Sequence, residues 1–233
     1  MDMSWHYGLR VLSAIAICGT FLFARPGFAA CGDPAAAGVD WSGCSKSRKM
    51  LARENMSGAR LNKTDLNGTN LTGANLQKAD MAKANITYAT FKGADLTGAN
   101  LSDVIGVRTR LGGARMSDAK LHKAEFLRAS FEGADLSGAD FSSAQLVRVD
   151  LRKANLTNSN LNYANLARAD LRMATLSGAD FSTAYMLRTR LEGVDLGTAK
   201  GLDERQLEHA CGDEKTILPS NISKPRSWPC KYE

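Results

Sequence analysis

One period dominates this chain: stepping by five from Met56 to Leu196 gives 29 positions, of which 28 are Leu, Met, Ile or Phe and one is Gly106. Two residues before each large side chain, the 28 positions from Ala59 to Val194 hold only Ala, Thr, Val or Ser, and 20 of them are Ala. The residue between is often Asp or Asn, as in Ala94-Asp95-Leu96-Thr97-Gly98 and Ala74-Asn75-Leu76. A period of five fits neither the 3.6 of a helix nor the 2.0 of a strand. It is satisfied by a chain that turns a corner every five residues. The large and the small residue then point inward and the other three face water. Hydrophobic residues make up 44% and aromatics only 7%, so the core of such a chain is built from aliphatic and small side chains.

With its A(D/N)Lxx unit, the sequence resembles the pentapeptide repeat family over about 39–200. The resemblance implies an all-β fold: a right-handed quadrilateral β-helix with four pentapeptides per coil, about eight coils in all. At ~4.8 Å per coil the rod would be near 40 Å long. Residues 31–55 read as an N-terminal cap with a first repeat, because Trp41 is central in Val39-Asp40-Trp41-Ser42-Gly43 and Lys46 then breaks the frame. The β-helix proper spans 56–200. At Gly106 a void or bulge is expected, filled by Ile105 or Val107. Solenoid ends must be covered. Asp203 followed by Gln206 reads as a capping box for a short helix over about 204–210, with Gly212 as its stop. The rest of 201–233, containing Pro219, Pro225 and Pro229, reads as an extended tail.

The N-terminus has a different character. Val11 to Phe23 is a 13-residue apolar run, broken by Arg25-Pro26-Gly27 and followed by Phe28-Ala29-Ala30. This reads as a secretory signal peptide over 1–30 with cleavage after Ala29 or Ala30. The run would rise about 20 Å as a helix, short of the ~30 Å hydrocarbon core required of a permanent anchor. A lipoprotein is the alternative, since Phe28-Ala29-Ala30-Cys31 resembles a lipobox with Phe28 in place of the usual aliphatic residue. Either way the chain is expected to be exported, to a periplasm or beyond the cell. Cys31, Cys44, Cys211 and Cys230 remain after cleavage, an even number in keeping with disulfides, and four cysteines allow three pairings. The rod that the resemblance implies puts Cys31 and Cys44 at one end and Cys211 and Cys230 at the other, hence the pairs Cys31–Cys44 and Cys211–Cys230. Lipidation of Cys31 would leave Cys44 unpaired.

Four repeats per coil would stack residues twenty apart. Arg108, Arg128, Arg148, Arg168 and Arg188 keep that spacing and form an expected ladder. Lys63, Lys83 and Lys123 fall on one adjoining column and Arg152 and Arg172 on another. Asp150 and Asp170 stand two residues after Arg148 and Arg168, and Glu132 and Glu192 flank Arg152 and Arg172, so one reading is a solvated ladder neutralised across coils. The other is a cationic strip for the phosphates or carboxylates of an anionic polymer, lipid or protein, which the guanidinium fork binds bidentately. The tract 39–200 holds 23 Lys/Arg against 16 Asp/Glu, so the positive charge belongs to the rod.

Some members of the family resemble a DNA duplex in shape and negative charge and inhibit or protect DNA gyrase. This rod is net basic and carries an export segment, which argues against that role, and export likewise argues against nucleic acid as a partner. Catalysis is not expected: His122 and His209 have no Ser/Asp, Cys or metal-ligand neighbour in sequence, and there is no zinc pattern or phosphate loop. No cofactor is implied. Tyr88, Tyr163, Tyr185 and Trp228 read as single surface aromatics. The expectation is therefore a non-enzymatic exported scaffold binding another macromolecule, with an envelope-attached protein using its arginine ladder on anionic polymers or lipids as the alternative. The residues leave its oligomeric state and the partner's identity open.

Overall fold

The structure, a computed structural model, describes residues 30–230; the signal-peptide reading of 1–30 lies outside these apart from Ala30. The chain winds in coils of 20 residues. Parallel one-residue bridges join position n to n + 20, from Asp40↔Arg60 through Asp95↔Arg115 to Asp180↔Lys200. The β-structure consists of these isolated bridges, because five residues per side leave one extended position between successive turns.

Each turn is closed by a bond such as Ala94 N–H to the Phe91 carbonyl, 2.9 Å. Its third residue has positive φ at every one of the 32 corners from 38 to 193, the mark of a type II turn. Twelve are glycines and 20 are other residues, the latter at φ 53° to 63°. The Asp or Asn before the large residue accepts the N–H two residues on, as Asp95 Oδ1 does from Thr97 at 3.1 Å, which explains its place in the repeat. Where Asn stacks on Asp it also donates along the axis, as Asn100 Nδ2 does to Asp80 Oδ1 at 2.9 Å, so like charges are kept apart. Further backbone bonds run from coil to coil, for example Leu61 N–H to Asp80 O at 2.6 Å and Asp80 N–H to Ala59 O at 2.9 Å.

The large and small residues fill the interior, and the large ones are almost all fully buried from Met56 to Leu196. Burial of these apolar side chains drives the winding. Thr in the small position is accommodated by its hydroxyl donating to a carbonyl of the preceding coil, as Thr64 Oγ1 does to Trp41 O at 2.7 Å and Thr109 Oγ1 to Ile86 O at 2.8 Å. Phe126 and Phe131 meet edge to face with centroids 5.0 Å apart.

Several expectations are corrected. Lys46 does not interrupt the coil: it takes the central position, is 8% exposed, and the bridges Ser45↔Asp65 and Met50↔Asn70 continue past it. Its ammonium lies 3.6 Å from the centre of the Trp41 ring and donates to Cys31 O at 2.8 Å, which offsets its burial. At Gly106 there is no bulge, and neither Ile105, 45% exposed, nor Val107 fills the interior. A Cβ on Gly106 would stand 2.6 Å from Phe126 Cδ1 and Cε1, so the ring from the next coil takes that space. Beyond Lys200, Arg190↔Cys211 and Asp195↔Ile217 extend the coil, with the spacing lengthened by the inserted α1, Glu204–Glu208.

Helix α1 has the capping box between Asp203 and Gln206, and Leu207 is buried beneath it. Gln206 Nε2 also donates to Phe181 O and Ala184 O at 2.8 and 3.0 Å, covering carbonyls at the coil's end. The helix ends at His209 rather than at Gly212. Gly212 instead makes room for the Trp228 ring, whose Nε1 donates to Ala210 O at 2.8 Å. Trp228 is thus a clamp on the tail and not a free surface aromatic. No helix among the described residues is long and apolar enough to cross a membrane.

Candidate binding edge

The five arginines of the expected ladder occupy one corner of successive coils. Arg108, Arg128, Arg148 and Arg168 each donate their backbone N–H one coil on, to the carbonyls of Leu127, Val147, Ala167 and Leu187, at 2.8 to 3.0 Å. Arg188 ends the series on His209 O, the C-cap of α1, at 2.6 Å. All five side chains are exposed. All five sit at the left-handed turn position, where glycine is free of the steric cost that any Cβ carries. Twelve of the 20 non-glycine residues in that conformation are Lys or Arg, so this one turn position carries 12 of the 23 cations of the tract 39–200.

Neutralisation goes elsewhere. Asp150 takes Arg152 in a forked pair, Nε to Oδ1 at 2.8 Å and a terminal nitrogen to Oδ2 at 2.7 Å. Asp170 holds Arg172 in the same way at 2.9 and 2.6 Å. Glu132 adds contacts to Arg152 and Lys153, and Arg190 lies 3.7 Å from Asp170. Burial pushes the Asp170 carboxyl up, but the Arg172 bonds outweigh it and hold the group below the ordinary carboxylate range. Asp170 in turn raises Arg172 through that bond. Among the described residues, none of Arg108, Arg128, Arg148, Arg168 and Arg188 has a carboxylate within ion-pair distance. Arg108 has a different neighbour, its guanidinium carbon lying 6.0 Å from the centre of the Tyr88 ring on the preceding coil.

The column contains one arginine that the spacing did not single out. Arg48 also lies in it, separated from the five by Gly68 and Tyr88. Lys63 and Lys83 share a second column, with Asp103 between them and Lys123. His122 is not isolated in space: its Nδ1 is 2.8 Å from Ser142 Oγ. That contact is one rung of a polar column in which Ser42 Oγ and Asn62 Oδ1 meet likewise at 2.6 Å, so it reads as stacking across a twenty-residue interval. Cys31 and Cys44 have Cα atoms 5.5 Å apart at the N-terminal end, and Cys211 and Cys230 5.3 Å apart beside α1, within bridging reach. Between α1 and the tail, Glu204, Glu208, His209, Lys224 and Arg226 line an open cleft of about 580 Å³ with charges of both signs.

Family comparison agrees with this geometry. The family described as Pentapeptide repeats matches 55–87, 64–103 and 107–138, and that described as Pentapeptide repeat region matches 124–200. The only gap in this tract, 104–106, ends at Gly106. Among solved structures, HetL, a pentapeptide repeat protein involved in heterocyst differentiation regulation from the cyanobacterium Nostoc sp. strain PCC 7120, is 26% identical at a TM-score of 0.54, covering 80% of this chain and 85% of its own. QnrB1, a plasmid-mediated fluoroquinolone resistance protein, is 19% identical at a TM-score of 0.48, covering 81% of this chain and 93% of its own. No curated protein sequence matches this chain. The family's fold is a right-handed quadrilateral β-helix and its members are generally non-enzymatic scaffolds. The coil register, the buried repeat residues and the matched tract, which together span more than half of the sequence, place this chain in the pentapeptide repeat family.

Proposed function

We propose that this protein is an exported, non-enzymatic scaffold whose arginine corner holds an anionic polymer or surface. One observation carries the reading: five stacked guanidinium groups are left without carboxylate partners, although Asp150 and Asp170 lie beside them and are engaged by Arg152 and Arg172. Stacked like charges repel, and that repulsion is relieved when a polyanion lies along the column. Guanidinium forks suit phosphate and carboxylate oxygens. Export is supported by the two cysteine pairs, which favour a non-reducing compartment, and by the apolar N-terminal run. A Cys31–Cys44 bridge, for which the two residues are within reach, would leave no Cys31 sulfur for a lipid.

The test compares the parent with Arg128→Ala, Arg148→Ala, Arg168→Ala and Arg188→Ala combined, in binding to dextran sulfate over a salt series. The parent should bind with a steep salt slope, and the folded variant should lose both affinity and slope. Equal binding by the two, or none by the parent, would sink the proposal.

A further inference from the structure

The arginine corner has a second row. At the residue before each arginine, the second position of the same turn, stand Val107, Leu127, Val147, Ala167 and Leu187, of which Leu127 is exposed and the other four are half-buried. The equivalent positions on the other three corners are polar, charged or small: Ser137, Thr157 and Ser177 on one, Ser102, His122 and Ser142 on the next, Glu132, Arg152 and Arg172 on the third. The apolar row and the arginine row occupy the same five coils. Before them the corner reads Ser47-Arg48, Asn67-Gly68 and Thr87-Tyr88. The carbonyls of Leu127, Val147, Ala167 and Leu187 accept the arginine N–H groups of the preceding coil, so the two rows are locked in one register. Leu127 is 41% exposed; Tyr88, 52% exposed, precedes Arg108 in the arginine column, and Tyr185, 51% exposed, stands two residues before Leu187 on the last of the five coils.

A hydrated polyanion makes no use of an apolar row. The boundary of a phospholipid leaflet does, because phosphates and acyl chains lie within a few ångströms of each other there. Side chains that reach phosphate while apolar neighbours dip below it are the pattern of interfacial binders, and tyrosine partitions to the same depth. From the arginine corner, which rests on the function proposed above, we infer that the protein lies lengthwise on an anionic phospholipid surface. Arg108 to Arg188 engage head-group phosphates, and the Val107-to-Leu187 row enters the interface. Five coils at ~4.8 Å per step give a contact line of about 19 Å.

The test uses the full chain throughout, so that its apolar N-terminal segment contributes equally to every variant. Cosedimentation with phosphatidylcholine vesicles, with and without phosphatidylglycerol, is compared with binding to soluble dextran sulfate. One variant combines Leu127→Ser, Val147→Ser and Leu187→Ser, since Ser occupies this turn position on other coils. The second combines Arg128→Gly, Arg148→Gly and Arg168→Gly. Thermal melts confirm that both fold. The serine variant should lose about tenfold or more in affinity for phosphatidylglycerol vesicles while binding dextran sulfate like the parent. The glycine variant should lose about fivefold per arginine on vesicles and should also fail on dextran sulfate. If the serine variant matches the parent on vesicles, or phosphatidylglycerol adds nothing to parent binding, the membrane inference falls. The arginine corner as a polyanion site survives that result if dextran sulfate binding still depends on the arginines, and falls with it if not.

Discussion

The ring of Phe126 fills the space that a side chain at Gly106 would need, one coil away in the same interior column. The ladder runs through the site unbroken, with Gly106 N–H donating to Glu125 O at 2.7 Å and Phe126 N–H to Gln145 O at 2.8 Å. One coil therefore lends its volume to its neighbour.

This exchange makes the two positions dependent on each other. Gly106→Leu alone overpacks against the ring and should cost about 1–3 kcal/mol. Phe126→Leu alone leaves a gap and should cost about 1–3 kcal/mol. The double variant restores two ordinary repeats and should be more stable than the sum of the single losses predicts, a coupling of about 1 kcal/mol or more by denaturant unfolding. Simple additivity would show that the ring does not depend on the glycine.

Arginine is held in the left-handed region at position 148, with φ 57°. Arg148→Gly removes the steric cost of a Cβ and should leave stability unchanged or raise it by up to about 1 kcal/mol. Arg148→Val should lower it by about 1–2 kcal/mol, since a β-branched side chain suits this region least. A large stability loss in the glycine variant would mean that the guanidinium has a structural role and would count against its being kept for a ligand.

Asp95 is 5% exposed. Burial pushes its carboxyl up, but bonds from Gln77, Arg115 and Thr97 outweigh this and hold it well below the ordinary carboxylate range. The folded state thus binds fewer protons than the unfolded one. Its contribution is fully present above the unfolded value of about 3.9 and fades as the pH falls below that toward the folded value. Asp95→Asn should cost about 1–3 kcal/mol near neutral pH, and its deficit should shrink as the parent is acidified below about pH 4. A deficit that stays constant with pH would refute the assignment.

The C-terminal closure depends on Cys211–Cys230, which spans 19 residues, and on the Trp228 clamp over Gly212. Removing the pair with Cys211→Ser and Cys230→Ser should cost about 3 kcal/mol and open the tail to proteolysis before the coils unfold. Gly212→Ala should expose the tail similarly with the disulfide intact, because the added methyl would displace the indole. A protease-resistant tail in both variants would show that the closure rests on other contacts.

The coil, its corners and its core were legible in the sequence because each depends on a local rule repeated every five residues, and a buried large residue has the same role wherever it stands. The twenty-residue columns followed from four repeats per coil, as the arginine column shows, but which side chains touch within and between them did not. Nothing near Gly106 names Phe126, nothing near His122 names Ser142, and the apolar row at Val107 to Leu187 shows as a row only once the corners are superposed. Lys46 looks like a break in the frame until the Trp41 face and the Cys31 carbonyl are seen around it. Charge pairing shows the limit most plainly. Asp150 stands two residues from both Arg148 and Arg152, so sequence distance cannot choose between them. The fold chooses, because Asp150 Oδ1 accepts the backbone N–H of Arg152 at 3.1 Å. That bond holds the carboxylate over the corner that follows it, within reach of the Arg152 guanidinium, and leaves Arg148 to the solvent.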